Sequence, residues 1–355
     1  NAVRIIMKKT IALASLVGLS VWVITFLNDA GQFKDINPHF AGQCDIIPGV
    51  VGAEDISFVP GSSIALVSGY DRRITQQGQD VNGGIFAYNL ADKQFTKISP
   101  PLTDFRPHGI SLYKMPNGQT RVFVINHSLG GHAVNIFDLI NNKLVLFKTI
   151  TGPGLISPND LVAVGPEQFY VTNDHKYLAG VMRILEDYLS LKLSSVAYFD
   201  GQDSKNILKG IGYANGINVS PDGNTLYLSA LTQRLVNIYA RQSNNELTLQ
   251  HSIDSGTGVD NIELDENGDL WIGAHPKLLA FVGHAKNRDK LAPSQVLKVS
   301  VSDGSYKVQE VLLDSGALLS ASSVGAVKGN RLLVGAVFDE KILDCALPMQ
   351  LSVNQ

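Results

Sequence analysis

The chain opens with an apolar run. Ile11 to Leu27 carries no charged side chain, and Arg4, Lys8 and Lys9 precede it. A run of about 17 residues is at the lower limit for a membrane-crossing helix. A basic start followed by an apolar stretch also has the form of a secretory signal. The pattern predicts an N-terminal hydrophobic helix over residues 1–30, either an uncleaved signal anchor or a cleaved signal peptide. No small-x-small cleavage site follows Trp22, which favours the anchor. A buried core helix is the third reading, and the basic start argues against it. Positive charge ahead of the run places the body, residues 31–355, on the exported side.

Beyond the run the pattern changes to short β-type stretches in pairs. Glu54–Phe58 leads to Ile64–Ser68, His108–Leu112 to Val122–Ile125, and Asn159–Ala163 to Phe169–Thr172. Asn215–Val219 leads to Leu226–Ser229, Asp260–Leu264 to Leu270–Gly273, and Ser323–Val327 to Leu332–Gly335. Each unit is a polar start, a strand, a turn and a second strand. Pro221-Asp222-Gly223-Asn224 and Glu266-Asn267-Gly268-Asp269 are hairpin turns whose Gly tolerates positive φ. Six units of about 50 residues fit an all-β, six-bladed β-propeller, with four-stranded blades around a channel. A pair of β-sandwiches is the rival fold. One segment, Leu178 to Ser195, departs from the β pattern. Its apolar positions Val181, Leu185, Tyr188, Leu189 and Leu193 have helical spacing, which predicts a short inserted amphipathic helix. Such a helix is a packing element on the rim, a lid over a site, or a membrane-facing surface.

Composition narrows the function classes. Of 355 residues, 29 are Lys or Arg and 32 are Asp or Glu, a formal net charge of -3. That balance offers no basic stripe, so no nucleic-acid partner is expected. With 45% hydrophobic and 17% charged residues the chain is not disordered. Two Cys are too few for a disulfide-stapled scaffold. Cys44 opens the body and Cys345 nearly closes it. In an oxidising compartment they could pair and tie the first blade to the last; two separate thiols are the other reading. No Gly-x-Ser-x-Gly elbow is present, which argues against a serine hydrolase.

The polar starts carry the candidate chemistry. Five of the six units begin with Glu54-Asp55, His108, Asn159-Asp160, Asn215 or Asp260-Asn261. One such pair would be an ordinary Asx turn, but recurrence at one repeat position places the set around the channel. The set is rich in hard oxygen. Ca2+ takes 6–8 such ligands in flexible geometry, whereas Mg2+ wants a tighter octahedron. Zn2+ would call for His and Cys at short spacing. Crowded carboxylates would repel one another without a cation. His175 and His275 are expected near the channel in structural roles.

These motifs also resemble a family. Glu54-Asp55, Pro107-His108-Gly109-Ile110, Val124-Ile125-Asn126-His127, Pro158-Asn159-Asp160-Leu161, Thr172-Asn173-Asp174-His175, Ala214-Asn215-Gly216-Ile217 and Val259-Asp260-Asn261-Ile262 resemble the serum paraoxonase/arylesterase family. The motifs occur in the family's order, from about Cys44 to Cys345. The resemblance implies lactonase and arylesterase activity and two Ca2+ ions in the channel. It assigns an outer, catalytic Ca2+ to Glu54, Asn159, Asn215, Asp260 and Asn261. A deeper, structural Ca2+ goes to Asp55, Asp160 and the backbone carbonyl of Ile110. His108 and His127 match the family's histidine dyad, and Cys44 and Cys345 its disulfide. The expected chemistry is hydrolysis of a small-molecule lactone or ester, with Ca2+ polarising the carbonyl and a His-activated water attacking. The membrane is a partner through the N-terminal segment. The loop Gly69-Tyr70-Asp71-Arg72-Arg73 departs from the family pattern, so substrate preference does not carry over. Two rivals remain: a gluconolactonase or strictosidine-synthase-like propeller enzyme, and a non-enzymatic propeller stabilised by calcium.

Overall fold

The alternating stretches form strands because one side of each can be buried while its ends turn at Gly or Asx residues. A computed structural model describes residues 2–79, 81–302 and 304–348. Six antiparallel sheets stand around an axis. Their inner strands are Ala53–Phe58, Pro107–Lys114, Pro158–Ala163, Ala214–Val219, Gly258–Leu264 and Ser322–Lys328. Each inner strand contacts the next, and the sixth contacts the first, so the ring is closed. Apolar side chains fill the wedges between neighbouring blades. Phe123 and Ile125 of the second blade, for example, pack on Leu161 and Phe169 of the third. The predicted turns hold, with Gly223 at φ 76° and Gly268 at φ 84°. The six-bladed propeller is therefore the fold.

Closure uses both ends of the body. Gln43–Pro48 forms the outermost strand of the sixth blade and pairs antiparallel with Lys341–Ala346. Cys44 lies opposite Cys345 in that register, and the two form a disulfide.

In each blade the connection from second to third strand returns to the end where the inner strand begins. Three of these connections carry α-helices: Arg72–Gln76, Gly180–Tyr188 and Leu278–Lys286. Together they roof one end of the channel. The inserted helix is shorter than its spacing predicts. Ser190 takes φ 49°, which ends the helix, and Ser194 and Ser195 join the strand Ser194–Phe199. Leu193 therefore lies outside the helix. The N-terminal helix spans Ala2–Asp29, and its stretch Ile6–Asp29 is long and apolar enough to cross a membrane. Its base meets the roof: Leu278 N–H donates to the Ala30 carbonyl at 2.9 Å, and Asp29 pairs with Arg234 at 3.0 Å.

Candidate active site

Every inner strand has a register irregularity at its start. The shifts fall at Ala53/Asp55, Pro107/Ile110, Pro158/Leu161, Ala214/Ile217, Val259/Ile262 and Ser322/Val324. A bulge releases a residue from the ladder and re-aims its side chain. Here it frees the polar pairs for one another. Gly109 and Gly216 make the close approach possible. A Cβ on Gly109 would lie 2.6 Å from Asp160 Oδ1, and one on Gly216 would lie 2.4 Å from the Asp260 carbonyl oxygen.

The structure brings all the expected polar residues to this end of the channel. Glu54, Asn159, Asn215, Asp260 and Asn261 are each at most 5% exposed. Asn261 Nδ2 reaches across the sixth blade to Glu54, donating to its Oε1 at 2.9 Å and its carbonyl at 3.1 Å. The small Ser323 of that blade leaves room and donates to the same carbonyl. His275 Nε2 lies 2.8 Å from Asp260 Oδ2. Four buried oxygens in this group have no hydrogen-bond partner: Glu54 Oε2, Asn159 Oδ1, Asn215 Oδ1 and Asn261 Oδ1. Buried acceptors are seldom left so. Among the described residues no three His, Cys, Asp or Glu side chains are placed to hold a metal by themselves. The orphaned oxygens come mainly from carboxamides.

Asp55 and Asp160 sit beside this group and are bonded differently. Asp55 accepts from the amides of Ile56 at 2.8 Å and Ile110 at 2.7 Å. Asp160 accepts from those of Leu161 at 2.7 Å and Ile217 at 2.8 Å. Each carboxylate thus ties its own strand to the next blade. Burial pushes both carboxyls well above the ordinary range, and neighbouring carboxylates add to the effect. Burial raises Asp260 too, against the pull of His275. Glu54 behaves oppositely: burial raises it, but His108, Arg72 and Asn261 outweigh burial and hold it low.

The two expected histidines meet. His108 Nε2 is 3.4 Å from Glu54 Oε1, and His108 Nδ1 is 2.7 Å from His127 Nε2. A third histidine, absent from the sequence-based set, continues the row: His127 Nδ1 is 2.9 Å from His132 Nδ1. His127 and His132 are direct cross-strand partners around the hairpin tip Leu129-Gly130. Two histidines flanking a hairpin of that length were a signal the sequence already contained. Burial, with His108 and His132 alongside, pushes His127 well below the ordinary range.

The group opens into a cavity of about 530 Å³ beneath the roof, lined also by Arg72, Tyr213, Phe281 and Phe338. Arg72 comes from the loop that departs from the expected pattern. His175, expected near the channel, is buried at the wall. It lies 2.8 Å from Asp174 Oδ1 and 2.7 Å from Asp187 Oδ1 on the inserted helix.

Fold and site together define a six-bladed propeller whose blade starts converge buried oxygens and a histidine row under a helical roof. The chain belongs to the arylesterase family, whose family model matches residues 35–347. Human serum paraoxonase/arylesterase 1 is 32% identical over 327 residues, covering 88% of this chain and 91% of that protein. Serum paraoxonase/lactonase 3 of Oryctolagus cuniculus is 31% identical over 346 residues, covering 94% and 97%. Among solved structures, a gluconolactonase of Xanthomonas campestris superposes with a TM-score of 0.55 at 15% identity, covering 89% of this chain and 96% of its own. Regucalcin, a calcium-binding protein of Agrobacterium tumefaciens, gives 0.51 at 15% identity, covering 87% and 96%. At such identity these structures speak for the fold alone.

Proposed function

We propose that the protein is a calcium-dependent hydrolase of lactones and aryl esters. Family membership supports the hydrolase, and relatives are described as arylesterases and lactonases. The observation that carries the calcium is the set of four partnerless buried oxygens. Glu54, Asn159, Asn215, Asp260 and Asn261 would hold an outer Ca2+. Asp55, Asp160 and the Ile110 carbonyl would hold a deeper one. The donor set is all oxygen, as Ca2+ prefers, and a cation relieves the crowding that raises Asp55, Asp160 and Asp260. When bound, the outer ion supplies Lewis-acid polarisation of the scissile carbonyl.

The chain's own residues supply the rest. His108 takes a proton from water at Nε2, which faces Glu54 and the cavity. His127 fixes the imidazole by its hydrogen bond to Nδ1. The proton then passes to the leaving oxygen as the acyl–oxygen bond breaks. Phe281, Phe338 and Val337 give the cavity an apolar wall, suited to a lipophilic acyl or aryl group. The exposed apolar stretch Ile6–Asp29 supports a membrane anchor, followed by a hydrolase domain from residue 31. Its base at the roof would set the cavity mouth near the lipid surface.

The test is initial hydrolysis of phenyl acetate and a long-chain δ-lactone, with Ca2+ and after chelation. Activity lost on chelation and regained with Ca2+ is expected. Folded protein inactive with Ca2+ on both substrates would shift the reading to a binding role. Activity insensitive to chelation would leave a hydrolase without the metal.

A further inference from the structure

Resting on that functional reading, we propose that His132 is the outlet of a proton relay from His108 through His127 to solvent. Hydrolysis of an ester at neutral pH gives a carboxylate, an alcohol and one proton. Each turnover must therefore export a proton from a site that is mostly buried. Glu54, His108, His127 and His132 form an unbroken row, with separations of 3.4, 2.7 and 2.9 Å. The last member is partly exposed, next to a hairpin tip where Leu129 is 73% exposed.

The ring atoms fix how the row works. In one polarity His108 Nδ1–H donates to His127 Nε2, His127 Nδ1–H donates to His132 Nδ1, and His132 carries its proton on Nε2. His108 Nε2 is then a free lone pair facing the cavity, as a base requires. The proton that His108 takes from water goes to the leaving oxygen; when His108 Nε2 then takes the proton of the carboxylic acid product, each Nδ1–H shifts to the next ring and His132 releases its Nε2 proton to water. The row ends in the opposite polarity, with the same number of protons as before. Rotation or back-exchange resets it. Burial holds His127 and His132 below the ordinary histidine range, so these two rings are uncharged near neutral pH. His132 touches no substrate and acts through the other two; it is a positioning and relay residue.

The experiment measures phenyl acetate hydrolysis by the full chain at saturating Ca2+ and fixed pH, over a range of imidazole buffer concentrations. Wild type is expected to be insensitive to buffer. His132→Ala should lose about tenfold or more in kcat at low buffer. Its KM should move much less, and imidazole should restore kcat. His132→Gln keeps a hydrogen bond to His127 but cannot relay, so it should show the same loss and rescue. Undiminished kcat in His132→Ala at low buffer overturns the relay. So does recovery by Gln alone, or a loss that imidazole leaves unchanged, both of which indicate a structural role. Wild type that hydrolyses no ester overturns the functional reading, and the relay with it.

Discussion

Asp160, like Asp55, spends both carboxylate oxygens on backbone amides. One oxygen holds its own strand at Leu161, and the other holds the next blade at Ile217. An Asn there can accept through one oxygen only, so one buried amide loses its partner. Leaving a buried donor unmade costs about 1–3 kcal/mol. Asp160→Asn should therefore lower Tm in Ca2+. It should also shrink the rise in Tm that Ca2+ produces, because one of the crowded charges is gone. A calcium titration followed by thermal unfolding checks both; an unchanged calcium response would remove Asp160 from the proposed metal site. The polar pairs were readable because five of them recur at one repeat position. Their bulges were not, since a register shift depends on the partner strand. Gly109 and Gly216 stood in the quoted motifs, but the reason for them, a neighbouring blade within van der Waals reach, appears only in three dimensions. Gly216→Ala would push into the Asp260 backbone and should cost about 1–3 kcal/mol of stability, as overpacking does. Denaturant unfolding measures it.

At the scale of elements, the inserted helix is held by adjacent acids. Glu186 accepts from the amides of Lys176 and Tyr177, and Asp187 bonds His175. Arg183 supports Asp187 from one turn earlier at 3.1 Å. Burial alone would lower the His175 pKa, but hydrogen bonds to Asp174 and Asp187 outweigh it and push it up to about 9. A raised pKa means that protonation and folding favour each other. The contribution is fully present below about pH 6.5, the ordinary histidine value, and is lost as pH rises through about 9. The Tm difference between wild type and His175→Gln should be widest near pH 6 and narrow through pH 9. A difference that stays constant over that range would mean the imidazole packs there uncharged. Helical spacing found this element but overran its end. Apolar periodicity does not register Ser190's left-handed turn or the polar Ser194, buried to donate to the Asp174 carbonyl.

At the scale of the whole molecule, closure decides cooperativity. Five blades take their four core strands from consecutive sequence; the sixth takes its outer strand from Gln43–Pro48. That strand joins residues separated by 301 positions, across the Cys44–Cys345 bond. Two cysteines at the ends of a repeat array made the pairing conceivable from sequence, and the export expected from the N-terminal segment made it chemically reasonable. The strand register opposing them had to be seen. Cross-linking so long a loop removes denatured-chain entropy equivalent to about 6 kcal/mol, in the chain-entropy account. Cys44→Ser with Cys345→Ser should therefore lower Tm clearly. The loss should begin at the seam: hydrogen exchange should rise first in Gln43–Pro48 and Lys341–Ala346, ahead of the strands of the third and fourth blades. The blade that carries the seam also borders the site at its inner edge, where Ser323 of the strand Ser322–Lys328 bonds the Glu54 carbonyl. Loosening the seam should lower calcium affinity as well as stability. A double variant with unchanged calcium affinity, but an opened seam by hydrogen exchange, would mean that the inner ring holds the site without the outer clasp.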